Sequence, residues 1–215
     1  GYQTRPYIFA LKIELPELLY DAVIEIDERL GPHGEILTPL DSAKTRRDLQ
    51  ATYDRGFRSL AIVLMHGYRF TQHEKAVAQI AREIGFTQIS TSHAVSQLMK
   101  LISRGDTTVV DAYLSPILRR YVDQVAAELG DAKLMFMQSN GGLADARVFQ
   151  GKDAILSGPA GGVVGAVETA KLAGFARIIG FDMGGSSTDV SHFNGEYERT
   201  LDTQVAGVRM RTPEL

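Results

Sequence analysis

Glycine is concentrated in the last third of the chain, and no other feature of the sequence constrains the fold as strongly. Of the 21 glycines in 215 residues, 13 lie in residues 141–215 and 8 in residues 1–140. A glycine has no Cβ atom, so it permits tight turns and the close approach of a backbone to a neighbouring group. We therefore expect close backbone contacts and tight turns in the last third that the first part lacks.

The composition is that of an ordinary globular protein, with 44% apolar and 23% charged residues. The formal net charge is −3 and no block of like charge occurs, which disfavours a nucleic-acid partner bound through a basic face. The absence of cysteine excludes disulfides and thiolate metal sites and agrees with a reducing compartment. No apolar run approaches the roughly 18 residues that span a membrane. We predict a cytoplasmic protein with neither a nucleic-acid nor a membrane partner.

Hydrophobic periodicity predicts an α/β fold with at least two strand–helix–strand units. One unit is expected from residue 60 to residue 90, with parallel strands and a capping box at residues 71–74. Hairpins are expected at residues 22–37 and 188–201, the second around Asn194-Gly195. The predicted strands are residues 22–27, 35–37, 60–65, 86–90, 133–137, 177–182, 188–193 and 197–201. The predicted helices are residues 41–53, 71–84, 94–130 and 160–173. At Ser115-Pro116 the third of these either kinks or gives way to a second helix, with Ser115 as its cap and Pro116 in its first turn.

The most informative stretch follows a buried strand that ends in Asp182. Two glycines, three hydroxyl residues and a second acid come next, in the order Gly184, Gly185, Ser186, Ser187, Thr188 and Asp189. Glycine amides can approach a phosphate closely, and hydroxyls can donate to its oxygens. An Asp at a strand end can hold Mg²⁺, usually through water, or orient a nucleophile. This order predicts a phosphate-binding hairpin; a tight turn with capping hydroxyls is the alternative.

Two further stretches are candidate binding segments. Residues 156–166 open a helix whose small face includes Gly161 and Gly162, so that its N-terminus can face an anion; close helix packing is favoured on physical grounds alone. Amide and hydroxyl groups at the end of a strand could hold a polar substrate, although an ordinary exit from the strand is equally consistent. These residues are Gln138, Ser139, Asn140 and Gly141.

Other candidate sites have less support. The five histidines lie far apart in the sequence and do not predict a zinc site. Asp106 and Asp111 flank the start of a predicted helix, where acids interact favourably with the helix dipole. We interpret both as stabilising that helix start. The serines lack a G-x-S-x-G motif, so a serine hydrolase has no support.

Several of these segments resemble the hydantoinase A / 5-oxoprolinase family. The similar segments are residues 5–9, 104–114, 137–142, 156–162 and 179–190. They occur in the family's order and cover essentially the whole chain. One difference is visible, because the family usually has Thr where Ser186 stands; both residues carry a hydroxyl.

The resemblance implies a partial actin/Hsp70/hexokinase-like (ribonuclease H-like) fold that uses ATP and Mg²⁺. Family members activate a cyclic amide such as 5-oxoproline or a hydantoin for ring opening, and some relatives carboxylate ketones. Two Asp-Gly-Gly loops face each other across the phosphates in such folds, and only the second is present here. We therefore expect an internal part of a larger subunit, inactive alone. Residues 1–104 would end the N-terminal hydantoinase/oxoprolinase domain, and residues 105–215 would begin the hydantoinase A domain.

The resemblance also implies roles for individual residues and partners. Asp182 would be catalytic and hold Mg²⁺–ATP, while the glycines and hydroxyls that follow it would cradle phosphate, together with Asp189 and with Gly161 and Gly162. A small cyclic amide is the expected substrate, and a second subunit of the hydantoinase B type and a homo-oligomer are possible partners. The alternatives are a non-catalytic nucleotide-binding or regulatory module of the same fold, a ketone carboxylase subunit, and a plain structural domain.

Overall fold

The computed structural model of the chain describes residues 9, 11–12, 17–185, 187–205 and 207–215. In these residues, short strands alternate with helices. The helices are α1 (Ser42–Asp54), α2 (Gln72–Ile84), α3 (Ser92–Val95), α4 (Leu101–Leu129), α5 (Gly151–Ala154) and α6 (Ser157–Leu172). The strands are β1 (Arg29–Leu30), β2 (Ile36–Thr38), β3 (Ser59–Ile62), β4 (Gln88–Thr91), β5 (Met135–Met137), β6 (Leu143–Asp145), β7 (Ile178–Met183), β8 (Thr188–Phe193), β9 (Thr203–Val205) and β10 (Val208–Met210). Among the described helices, none is both long and apolar enough to cross a membrane.

Strands β3 and β4 are parallel and α2 connects them, which confirms the strand–helix–strand unit predicted for residues 60–90. α2 packs on this pair and α1 packs on α2. The core between them consists of Leu49, Ile62, Val77, Ala78, Ile80, Ala81 and Phe86. Local sequence signals set two helix ends, because Asp41 accepts a hydrogen bond from the Lys44 amide and Gly85 ends α2 at φ 113°.

The second half of the chain is assembled around α4 and α6. α4 contacts β3, β4, α5 and β10, and α6 contacts β5, β7 and β8. The pairs β5–β6, β7–β8 and β9–β10 are antiparallel, and each sheet among the described residues has two strands. The structure is therefore a partial α/β fold with a single parallel pair in its described part, and the second parallel unit that we expected is absent from these residues.

Of the two alternatives at Ser115-Pro116, a second helix that starts there is wrong, because α4 continues through Pro116 as one helix of 29 residues. A proline inside a helix removes the N–H that would bond to the carbonyl four residues earlier. In this helix that carbonyl belongs to Ala112, and the hydroxyl of Ser59 donates a hydrogen bond to it at 2.5 Å. A partner from β3 therefore replaces the lost backbone bond and offsets part of the cost of the proline.

The predicted capping box of α2 is also wrong. Thr71 precedes the helix, but its side chain makes no capping hydrogen bond. The Glu74 side chain is fully buried and points into the protein instead. Its carboxylate accepts hydrogen bonds from the Leu64 amide, the Ser92 hydroxyl, and the amide and Nδ1 of His93. Four tertiary donors outweigh the local cap, because leaving a buried carboxylate without partners costs far more than losing one capping bond.

Both predicted hairpins need correction. Residues 22–27 alternate between exposed and half-buried positions without pairing, and the first hairpin joins β1 and β2. Ile24 and Ile26 pack against the core, so the alternation reports burial and not strand pairing.

At the second predicted hairpin, Gly195 makes the expected turn with φ 100°, but residues 197–201 do not return along β8. Thr200 forms a bridge with Glu214 instead.

Gly67 is a position where the buried Glu74 carboxylate leaves no space for a side chain. A Cβ atom there would lie 2.3 Å from Oε1 of Glu74, and the carboxylate is held in place by its four donors. We expect Gly67→Ala to lower the free energy of unfolding by about 2–3 kcal/mol. Gly165→Ala in α6 is the control, because no described atom lies within 4 Å of its Cβ position. The control should stabilise by about 0.5–1 kcal/mol. Urea unfolding of the chain measures both; equal effects would contradict this explanation.

Candidate functional site

An open cleft of about 460 Å³ lies between α6 and the β7–β8 hairpin. α6 contributes Pro159, Gly162, Val163 and Ala166 to its wall, and the hairpin contributes Gly180, Phe181, Asp182, Asp189, Val190, Ser191 and His192. Tyr197, Glu198 and Leu215 complete the lining. The cleft thus brings together two of the three segments singled out in the sequence, namely the start of the small-residue helix and the hairpin with two acids.

The register of the hairpin places its two acids on one face. Asp182 pairs directly with Asp189, so both side chains leave the sheet on the same side. The next pair on that face is Gly180 with Ser191, and a Cβ atom at Gly180 would lie 2.5 Å from the Ser191 hydroxyl oxygen. Two carboxylates directly opposite each other repel, and the arrangement is stabilised when a cation lies between or beside them.

The glycines of α6 leave space on the side of the cleft. A Cβ atom at Gly162 would lie 3.9 Å from Oδ2 of Asp182, so this position faces the carboxylate. At Gly161 it would lie 3.5 Å from Met137, an ordinary contact. At Gly158 and Gly165 it would meet no described atom within 4 Å. Close packing against the described residues therefore does not require any of these glycines.

The turn between β7 and β8 is closed by a hydrogen bond from the Gly184 amide to the Ser187 carbonyl, at 2.9 Å. Gly184 and Gly185 do not have positive φ, and no described atom lies within 4 Å of a Cβ atom at Gly185. The backbone conformation thus does not demand glycine, but the open space around it does suit the close approach of a ligand. Ser187 and Thr188 are exposed at the end of the turn. Ser186 lies outside the described residues.

The third predicted segment connects β5 to β6 and is built mainly into the fold. Ser139 is buried; its hydroxyl donates to the Asp153 carbonyl at 2.9 Å and accepts from the Leu156 amide at 3.0 Å. The side-chain oxygen of Asn140 accepts from the Gly142 amide. Gly141 has φ 80°, as a turn requires. Of the four predicted residues, Gln138 alone keeps a half-buried side chain with no hydrogen bond of its own among the described residues.

The charges around the cleft are mostly negative. Asp182, Asp189 and Glu198 line it, and the imidazole of His192 lies 3.3 Å from Glu198. Burial and the nearby carboxylate of Glu168 raise the pKa of Tyr197, so its phenol stays protonated at neutral pH. A bare phosphate would be repelled here, and a phosphate accompanied by a cation would not be.

The residues fit a magnesium–nucleotide complex better than a metal held by protein alone. Within the described part of the chain, no group of three or more histidines and acids could hold a metal ion. Mg²⁺ is commonly bound through one or two carboxylates, with phosphate oxygens and waters as its other ligands. Asp182 and Asp189 supply two such carboxylates beside open backbone amides.

Sequence reasoning missed the buried polar face of α4. The interpretation of Asp106 and Asp111 as stabilisers of a helix start is wrong, because both lie inside α4. Asp111 is buried and accepts hydrogen bonds, and Asp106 pairs with Arg209. The available signal was the spacing of polar residues three and four apart, which places them on one helix face. These residues are Arg104, Thr107, Thr108, Asp111 and Ser115.

Comparison with known proteins identifies relatives of this chain. A family model described as Hydantoinase/oxoprolinase matches residues 104–215, and one described as Hydantoinase/oxoprolinase N-terminal region matches residues 1–85. 5-Oxoprolinase 1 of Arabidopsis thaliana is 41% identical to the chain over 241 aligned positions, which cover 100% of this chain and 19% of that protein. The chain thus spans about one-fifth of the length of curated relatives such as this one.

Two solved structures share the fold. The ATP-dependent caprolactamase from Pseudomonas jessenii has a TM-score of 0.73 and 29% identity, over 88% of this chain and 28% of that one. Nucleotide-free acetone carboxylase has a TM-score of 0.77 and 23% identity, again over 88% of this chain and 28% of that one. The arrangement of helices and strands described above therefore recurs in both proteins.

The contrast between Ser139 and Ser187 gives a test of which predicted site residues are structural. Ser139→Ala should lower the free energy of unfolding by about 1–3 kcal/mol, because it removes a buried hydroxyl that bonds both the Asp153 carbonyl and the half-buried Leu156 amide. Ser187→Ala, at an exposed position, should change it by no more than about 0.5 kcal/mol. Urea unfolding of the two variants measures the difference. A Ser139→Ala variant as stable as the wild type would show that the hydroxyl does not hold α6.

Proposed function

The chain belongs to the hydantoinase/oxoprolinase family, as its motifs predicted, and we propose that it forms part of the ATP site of an enzyme that opens a cyclic amide. The observation that carries this proposal is the cleft in which Asp182 and Asp189 share one face beside the open Gly184–Gly185 turn and Gly162. A relative that is named for ATP-dependent action on a lactam, and others named for 5-oxoproline, support the same chemistry.

In this proposal each group of residues has a distinct role. Asp182 would hold Mg²⁺, directly or through water, and Asp189 would add negative charge opposite it. The bound ion would neutralise charge on the phosphates. The amides of Gly184 and Gly185 and the hydroxyls of Ser187 and Thr188 would donate to phosphate oxygens, and Ser186 keeps its predicted place in this set. Positioning and charge neutralisation supply most of the catalysis in phosphoryl transfer, so few further groups are needed at this end of the site.

The substrate and the surrounding protein follow from the same proposal. A small cyclic amide would accept the γ-phosphoryl group of ATP on its carbonyl oxygen, with release of ADP. Water would then add to the carbonyl carbon, the ring C–N bond would break and phosphate would leave. Gln138 is the member of the β5–β6 segment whose side chain is free to contact this substrate. The fold would be the actin-like type, with a facing phosphate loop and a second subunit of the hydantoinase B type contributed from outside this chain. The proposed boundary between residues 104 and 105 lies within α4, so one helix would join the two regions.

The deciding experiment measures ADP release by the full-length protein with ATP and a panel of substrates. The panel contains 5-oxoproline, hydantoin, N-methylhydantoin and simple ketones with bicarbonate. ATP turnover that depends on a cyclic amide supports the proposal. Nucleotide binding without substrate-dependent turnover would indicate a regulatory module, and turnover with ketones alone would indicate a carboxylase.

Asp182→Asn separates a catalytic role from a structural one. The change keeps the size of the side chain but removes the charge that Mg²⁺ requires. We expect kcat of the full-length protein to fall at least about a hundredfold, equivalent to about 2.7 kcal/mol. The melting temperature should change by only about 2–4 °C, because an exposed carboxylate contributes little to stability. Asp123→Asn, on the exposed side of α4, serves as the control for loss of one surface charge. A near-normal kcat for Asp182→Asn would refute the assignment.

Gly162→Leu tests whether the space in front of Asp182 is used by the nucleotide. A leucine at Gly162 would extend into the cleft, whereas Gly165, three residues further along α6, is not part of the cleft lining and has open space around it. We expect Gly162→Leu to weaken ATP binding by about tenfold or more, a cost of about 1.4 kcal/mol, and Gly165→Leu to leave it within about twofold. Isothermal titration with a non-hydrolysable ATP analogue measures both. Equal affinities would place the nucleotide elsewhere.

A further inference from the structure

Asp111 is a buried carboxylate in the middle of α4 that the proposed reaction does not use. It is 1% exposed, and it accepts hydrogen bonds from the Ser90 hydroxyl at 2.7 Å, the Ser115 hydroxyl at 3.2 Å and the Lys152 amide at 3.2 Å. A buried carboxylate is stable only when donors surround it, so these three groups are fixed relative to one another. Asp111 thereby joins β4, α4 and the start of α5.

The contact between α4 and α5 is unusually close. The Gly151 amide donates to the Ser115 hydroxyl at 3.0 Å. A Cβ atom at Gly151 would lie 2.7 Å from the backbone nitrogen of Ser115 and 2.8 Å from Cβ of Leu114, so only glycine allows this approach. Asp111 and Ser115 bond the first two amides of α5, so the position of α5 on α4 is fixed.

The hydrogen bonds of Asp111 and Ser115 to α5 begin a path of contacts that continues from α5 to the cleft. The Asp153 carbonyl in α5 accepts from the amide of Ser139 at 2.8 Å and from its hydroxyl at 2.9 Å. The same hydroxyl accepts from the Leu156 amide, which directly precedes α6, and the Ser139 carbonyl accepts from Leu215, which lines the cleft. α6 in turn carries Gly162 to its place against Asp182.

We propose that Asp111 is a positioning residue for the nucleotide site, acting through α5 and Ser139 on the start of α6. The proposal rests on the proposed function for its effect on catalysis. Reacting groups must be held within a fraction of an ångström, and a misplacement of about 1 Å can cost about a hundredfold in rate. None of the hydrogen bonds that Asp111 makes in the described structure reaches a residue that lines the cleft, so Asp111 would affect the rate by where it holds α6.

The test compares Asp111→Asn with Thr108→Val in the full-length protein. Thr108 is equally buried on α4, but its hydroxyl bonds only within the helix, to the Arg104 carbonyl. We expect Asp111→Asn to lower kcat about tenfold or more with the KM for ATP changed by less than about threefold, and Thr108→Val to leave both within about twofold. Amide hydrogen exchange at Leu156 should accelerate in Asp111→Asn and not in Thr108→Val. If Asp111→Asn does not fold, Ser115→Ala removes one link of the same path and should show a smaller effect of the same kind.

A double-mutant cycle decides whether the path passes through Ser139. Residues that act through one chain of contacts have non-additive effects, so Asp111→Asn with Ser139→Ala should lose no more kcat than the worse single variant. Losses that multiply, or unchanged exchange at Leu156 in Asp111→Asn, would overturn the proposal. The absence of ATP turnover in the wild type would defeat the proposed function instead. In that case exchange at Leu156 would still decide whether Asp111 holds the start of α6.

Discussion

The buried guanidinium of Arg104 is the interaction on which the arrangement of the two halves depends. It donates five hydrogen bonds, to the Ser92 hydroxyl and to four backbone carbonyls, those of Leu64, Met65, Leu98 and Met99. Burial lowers the pKa of Arg104, and the charge of Glu74 opposes that shift. The Ser92 hydroxyl links the two side chains, because it accepts from Arg104 and donates to Glu74. A buried charge that loses its partners is costly, so neither side chain can be removed without destabilising the fold. The end of β3, the loop before α4 and α4 itself are therefore held as one unit.

A polar buried face also explains why α4 can organise so many elements. Apolar contacts tolerate small shifts along a helix, whereas directional hydrogen bonds are satisfied in one register only. Arg104, Thr107 and Asp111 lie on this face, and each has its partner on a different element. The amide of Arg211 bonds to the Thr107 hydroxyl and thus fixes the segment after β10. Specific placement of the surrounding strands and helices is gained at the cost of burying charge.

The sequence predicted the parts of this fold that local interactions determine. The start of α1 at Asp41, the end of α2 at Gly85 and the β7–β8 hairpin follow from residue types within a few positions of each other, and all three were predicted. The errors occur where a residue that is distant in the sequence determines the local structure. Glu74 turns inward because Ser92 and His93 donate hydrogen bonds to its carboxylate. α4 continues through Pro116 because Ser59 replaces the lost backbone bond. For the same reason the acids of the cleft could be named in advance, while the structural role of Ser139 depends on α5 and could not.

The β7–β8 hairpin turns its acidic face toward α6. Side chains alternate between the two faces of a hairpin, so only one set of them can lie against a neighbouring helix. Normally that set is the apolar one. In the described structure Ile179, Phe181 and Met183 are at least two-thirds exposed, and the opposite side, with Asp182 and Asp189, faces α6. The carboxylates thereby lie against a stretch of α6 that offers glycines and alanines, which leaves an open, acidic space. Two carboxylates directly opposite each other beside an open backbone turn suit a bound cation, and that argues against a plain turn with capping hydroxyls at Gly184 and Gly185.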